Sequence, residues 1–138
     1  MTKKIKESNI ALIYFAYQEF SQNIDFANYK ISKTQHRILF LVSQLSQPTI
    51  KKLLQIMKMT KQGFIKALKD LEERQLIVTK PSKEDPRVKD LILTKEGKQM
   101  IEALNQDQSQ KIDALLNKHD GDWKATLDDM VDNYLKSF

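Results

Sequence analysis

The chain has 138 residues, 41% hydrophobic and 30% charged, which is enough for one domain with its own core. It has no cysteine, which excludes disulfides, thiol redox sensing and cysteine-ligated zinc. It also has no apolar run of membrane-spanning length and a polar N-terminus, MTKKIKESN, without a signal-peptide pattern, so a cytoplasmic protein with no membrane partner is expected.

The net charge of +5 is unevenly spread. Residues 51–89 carry eleven Lys and Arg against five Asp and Glu, whereas residues 101–138 carry four against eight. Such an asymmetry fits a polyanionic partner for the middle of the chain, although a solvated lysine-rich face accounts for it equally well.

With only three glycines and three prolines there is little room for loops, and helical periodicity dominates. Ile10, Ile13, Tyr14, Tyr17 and Phe20 recur at steps of three and four, predicting a first helix from about Ile5 to Asn23 that is unusually apolar for a surface helix. Ser32 and Gln35 have capping-box spacing, and Ile38, Leu41, Val42 and Leu45 mark the buried side of a second helix that SQPT ends. Thr49 caps a third, TIKKLLQIM, with Ile50, Leu53, Leu54 and Met57 inward and Lys51 and Lys52 outside the stripe.

After only Lys58 and Met59, Thr60 caps a fourth helix, TKQGFIKALKDLEERQ, whose inward residues are Phe64, Ala67, Leu68 and Leu71. Helices joined by so short a turn must cross steeply, the spacing of a helix-turn-helix. The positions left outside are Lys61, Gln62, Gly63, Lys66 and Lys69, starting at the N-terminal end, where a helix entering a groove makes its base contacts. Gly63 weakens the helix by about 1 kcal/mol relative to Ala. It either lets a partner approach the backbone or relieves a tight crossing against the third helix.

LIVTK (76–80) and DLILT (90–94) are short strand-like runs, separated by PSKEDPRVK, which holds two of the three prolines. They predict a hairpin whose tip carries Lys83, Arg87 and Lys89. A helix-turn-helix followed by such a hairpin is a winged helix. Arg87 supplies a planar, permanently charged fork for a phosphate or a narrow groove. Asp85 is placed to accept hydrogen bonds from the turn backbone or to brace an arginine, and Pro86 fixes the backbone between the two. The plainer alternative is a surface turn closed by a salt bridge.

From Lys98, the residues Ile101, Leu104, Ile112 and Leu115 predict a long helix to about Lys118, and HDGD breaks it. Asp122 can cap a last helix with Trp123, Leu127, Met130, Val131, Tyr134 and Phe138 on one side. Two over-apolar chain ends favour a dimer, against the alternative that the last stripe closes the monomer core. His36 and His119 have no partners at metal-motif spacing, and there is no glycine-rich phosphate loop or nucleophile elbow. Asp128 and Asp129 point about 100 degrees apart on a helix. No enzyme, metal or cofactor is expected.

The stretch from Thr60 to Gly97 resembles the recognition helix and wing of the MarR family, the multiple-antibiotic-resistance regulators. The shared pattern is Leu71, Glu72 and Glu73, then Asp85 and Arg87, then Leu93, Thr94 and Gly97. The resemblance implies a mainly α fold with a small β-hairpin wing: a winged helix-turn-helix over residues 32–96, flanked by dimerisation helices over 1–24 and 98–138, all in one domain. It implies a homodimeric repressor on an inverted repeat in double-stranded DNA, with residues 60–74 in the major groove and the 81–90 wing on the adjacent groove or backbone.

The expected DNA-binding residues are Thr60, Lys61, Gln62, Gly63, Lys66, Lys83, Asp85, Arg87 and Lys89. Two positions depart from the family's pattern: Gln75 stands where a glycine usually ends the recognition helix, and Pro86 where a second arginine is common. The helix is also lysine-rich, which suits phosphates better than bases and leaves Gln62 as the candidate reader of adenine. Family members are often released from DNA by a small phenolic or lipophilic compound, for which Tyr14, Tyr17, Tyr29 and His36 are candidate lining residues. The competing readings are a winged-helix protein-interaction module and an anti-regulator with no DNA binding of its own.

Overall fold

A computed structural model of the chain describes residues 8–22, 26–118, 120–124, 127 and 136. In chain order the elements are helices α1 (Asn9–Gln22), α2 (Phe26–Tyr29), α3 (Lys33–Gln44), α4 (Ile50–Met57) and α5 (Lys61–Glu73), strands β1 (Ile77–Pro81) and β2 (Lys89–Leu93), and helix α6 (Lys95–Lys118). The expected ends of the first helix and most of the last helix, including Met130, Val131, Tyr134 and Phe138, lie outside the described residues. The sequence shows no sign of α2, because one turn is too short to show a helical period.

The helix starts follow from local chemistry. Ser32 and Gln35 form a reciprocal capping box: the Gln35 N–H donates to Ser32 Oγ at 3.1 Å and the Ser32 N–H donates to Gln35 Oε1 at 2.9 Å. The Thr49 hydroxyl accepts from the Lys52 N–H at 3.1 Å, and the Thr60 hydroxyl from the Gly63 N–H at 3.2 Å. α6 begins at Lys95, three residues ahead of the expected Lys98, because the Thr94 hydroxyl accepts the Gly97 N–H at 3.0 Å.

The exit of α5 is a Schellman turn. The Leu76 N–H reaches Leu71 O at 3.0 Å and the Gln75 N–H reaches Glu72 O at 3.0 Å, with Gln75 itself in the left-handed region at φ 59. A glutamine thus occupies the conformation that glycine adopts most cheaply.

The core joins Ile38, Leu39 and Val42 of α3, Leu53 of α4, Phe64, Leu68 and Leu71 of α5, and Ile101 and Leu104 of α6, with Leu76, Ile77 and Leu91 from the wing and its base. Leu41, Leu45, Ile50, Leu54 and Met57, expected on buried stripes, are half-buried at its edge, whereas Leu39 is fully buried. The reason is that α3 is the central helix, packed against α5, α6 and β2 at once, so it buries more than one stripe.

The wing is an antiparallel hairpin in which Ile77 pairs with Leu93, Val78 with Ile92, Thr79 with Leu91, Lys80 with Asp90 and Pro81 with Lys89. Ile77 and Leu91 face the core while Val78 and Ile92 face out, the alternation of a half-buried ribbon. Two contacts seat it on the helices. The Leu91 N–H donates to Pro48 O at 3.0 Å beside an isolated bridge between Thr49 and Asp90, so β2 also pairs with the chain entering α4. At the other end Thr94 Oγ1 donates to Gln75 O at 2.6 Å and the Thr94 N–H to Leu76 O at 3.1 Å.

Candidate nucleic-acid interface

α4 and α5 are joined through only Lys58, Met59 and Thr60, with Lys58 in the left-handed region at φ 50. α5 then turns Phe64, Leu68 and Leu71 inward and leaves Lys61, Gln62, Lys66 and Lys69 exposed. Gln62, Lys66 and Lys69 are spaced by four and three residues and share one face of the helix. Thr60 is exposed as well, but its hydroxyl is engaged in the cap.

Gly63 is half-buried, and a Cβ there would lie 3.2 Å from Thr60 Oγ1 and 3.4 Å from Met59 Cε. The crowding therefore comes from the cap and the turn, not from a crossing against α4.

At the wing tip, Asp85 performs both roles expected of it. Its Oδ1 accepts the Arg87 backbone N–H at 3.0 Å and Arg87 Nε at 3.1 Å, and its Oδ2 accepts Arg87 Nη2 at 3.2 Å. The hydrogen bonds from the Arg87 side chain and backbone hold the Asp85 carboxyl below the usual carboxylate range. The Arg87 side chain is 91% exposed, so the brace orders a guanidinium that remains available to solvent. The tip is closed by the Ser82 N–H on Val88 O at 2.8 Å and the Val88 N–H on Asp85 O at 2.9 Å. Lys83 and Lys89 are exposed beside it, and Lys89 Nζ donates to Pro86 O at 3.4 Å.

A cleft of about 120 Å³ lies between α1, the α2–α3 corner and α6. Of the four suggested lining residues, Tyr17 and His36 line it. Tyr14 instead stands exposed, edge-on to Phe15, and Tyr29 donates its hydroxyl to Asp107 Oδ2 at 3.3 Å. Phe26, Phe40, Lys33, Arg37 and Gln108, which carry no local mark of a pocket, complete much of the wall.

His36 sits between the rings of Phe26 and Phe40, at centroid separations of 5.5 and 6.2 Å. Burial and then the neighbouring Arg37 charge push its pKa down, so the imidazole is neutral at pH 7. Its Nε2 and the Nε2 of Gln108 are buried without a hydrogen-bond partner among the described residues. No group of three or more His, Asp or Glu among the described residues is placed to hold a metal ion, and no helix among them is long and apolar enough to cross a membrane.

Residues 29–87 match the model of the MarR family, a span that holds both helices of the helix-turn-helix and most of the wing. The structure is similar to NadR in complex with 4-hydroxyphenylacetate, at 21% identity over 97% of this chain and 96% of that one, with a TM-score of 0.79. It is similar to Staphylococcus aureus MepR in a DNA-binding conformation, at 21% identity over 93% and 99% of the two chains and a TM-score of 0.71. For wild-type Escherichia coli MarR in its apo form the values are 19%, 96%, 99% and 0.69. No curated protein matches the sequence.

Proposed function

We propose that this chain, whose winged helix-turn-helix is of the MarR family and whose fold is that of MarR-family regulators, is a homodimeric, cytoplasmic transcriptional repressor. It binds an inverted-repeat DNA site with residues 60–74 in the major groove and the 81–90 wing on the adjacent groove or backbone. The observation that carries this reading is the pairing of two exposed basic features on one packed unit: the exposed Lys61, Gln62, Lys66 and Lys69 of α5, and the Arg87 fork that Asp85 holds at the wing tip. Lysines and Arg87 neutralise phosphates, while Gln62, in the first turn, reads a base edge. Lys83 and Lys89 add phosphate contacts, and Thr60 and Gly63 bring the start of α5 close to the groove.

The dimer reading is supported by α1, on which Ile10, Ile13, Tyr14, Phe15 and Tyr17 are all exposed, and by Ile112, Trp123 and Leu127 from the C-terminal part. So many exposed large apolar side chains on one short helix mark an interaction face. Release from DNA by a small phenolic or lipophilic compound is supported by the cleft beside α3, with its aromatic walls and two unpartnered polar atoms. NadR holding 4-hydroxyphenylacetate supports it further.

The test is fluorescence anisotropy on a duplex from the upstream intergenic region and on a scrambled duplex, across a salt series, with Arg87→Ala alongside. The expected result is preference for the native duplex and affinity that falls steeply with salt. Arg87→Ala should weaken binding and make the log–log salt slope shallower by roughly 0.9, one phosphate contact. Equal weak binding to both duplexes, indifferent to Arg87, refutes the reading and favours the protein-interaction module.

A further inference from the structure

We infer that Arg74 is a positioning residue, one that sets the angle of the recognition helix by tying its C-terminal end to the α2–α3 corner without touching DNA. This rests on reading α5 as the DNA reader. Arg74 is the C-cap of α5 and is half-buried. Its guanidinium donates Nη1–H to Lys30 O at 2.8 Å and Nη2–H to Tyr29 O at 3.4 Å. The Tyr29 carbonyl ends α2 and the Lys30 carbonyl follows it directly. Lys30 stands in the left-handed region at φ 55, so the corner presents both carbonyls at a sharp reversal.

A second tie lies one turn back on the same face of α5, where Asp70 Oδ2 accepts from Gln35 Nε2. Gln35 spends its oxygen on the α3 capping box and its amide nitrogen on α5. Tyr29, whose carbonyl Arg74 holds, also donates its hydroxyl to Asp107 on α6. The reader's far end is thus fastened to the corner from which α3 leaves, and that corner is tied in turn to the middle of α6. Phe26, at the head of that corner, lines the cleft, so whatever displaces Phe26 is connected to α5 through these same atoms.

The geometry makes the tie consequential. Leu68 is buried near the middle of α5 and is taken as the pivot. Arg74 and Gln62 lie six residues to either side, about 9 Å each at 1.5 Å per residue. If the C-terminal end swings by about 1 Å, Gln62 moves by a similar amount the other way, and a hydrogen bond does not survive a stretch of that size. The competing account is that Arg74 is only a cation complementing the helix C-terminus, which adds slightly to stability and nothing to DNA binding.

The experiment uses the full chain and a duplex selected from a random-sequence pool by the wild-type protein, with a scrambled duplex for comparison. Wild type, Arg74→Ala, Arg74→Lys and Lys66→Ala are measured at a temperature where thermal melts show each to be folded. Arg74→Ala should lose about tenfold or more on the selected duplex, the value of a base contact, with little change on the scrambled one and an unchanged salt slope. Arg74→Lys should recover part of the loss, since an ammonium can still reach Lys30 O. Lys66→Ala should weaken both duplexes and make the slope shallower.

Folded Arg74→Ala with unaltered discrimination overturns the inference. So does a slope change like that of Lys66→Ala, which would make Arg74 a phosphate contact. Should Arg74→Ala not fold, Arg74→Met, which keeps the apolar stem but no donor, replaces it under the same criteria. Wild type that shows no preference for any selected duplex overturns the reader reading itself, and with it the role assigned here.

Discussion

Replacing Gly97 by alanine tests the seam between wing and helices. A Cβ at Gly97 would press into the Leu76 carbonyl, inside van der Waals contact with its oxygen and 3.0 Å from its carbon. Relief requires α6 to lift off the base of the wing by about 1 Å or more. The same oxygen accepts the Thr94 N–H at 3.1 Å, so the movement also strains a partly buried hydrogen bond.

Overpacking against backbone costs about 1–3 kcal/mol and leaving the Thr94 N–H unsatisfied about 1–3 kcal/mol. Together they predict a loss of about 2–6 kcal/mol, or roughly 6–24 °C in Tm for a domain of this size. Urea denaturation followed by circular dichroism would show a lower midpoint at unchanged m-value. Gly121→Ala is the control. Gly121 has φ 72 but nothing within 4 Å of a Cβ, so it should cost only the strain of a left-handed alanine, about 1–2 kcal/mol. A Gly97→Ala protein within about 1 kcal/mol of wild type would refute the reasoning, because the close approach would then be soft.

Gln75→Gly should stabilise by roughly 0.5–1 kcal/mol, since it removes the left-handed strain at φ 59 while keeping both Schellman hydrogen bonds; a lower urea midpoint would contradict this. His36 should make stability fall with acidification. Its pKa is depressed in the folded chain, so below the ordinary imidazole value near 6.5 the unfolded chain binds the extra proton first, and stability is lost as pH drops through that window. Urea midpoints at pH 7.5 and 5.5 should therefore differ more in wild type than in His36→Gln, and equal differences would assign the effect to other groups. Asp85→Ala should weaken binding to a selected duplex severalfold with an unchanged salt slope, because Arg87 keeps its charge but loses its orientation. Unchanged affinity would mean that the brace does not matter to the wing.

What could be read directly from the chain were features whose partners lie within a few residues. Ser32, Thr49 and Thr60 start helices by bonding to an N–H three positions on, and such caps are visible as spacing. Asp85 and Arg87 are two residues apart, so their ion pair was open to inference. The short turn after α4 and the alternation in the wing likewise require only local periodicity.

The features that only the tertiary structure decided join distant residues. Pro48 pairs with Leu91, Gly97 lies against Leu76, Arg74 holds the Tyr29 and Lys30 carbonyls, and Phe26, Phe40 and Gln108 meet around His36. In the first three cases the partner is a backbone carbonyl, which leaves no signature in residue type, and in the last the residues are far apart in the chain. The sequence therefore determined which helix and which tip are basic, while packing decided the angle at which they stand and what holds them there.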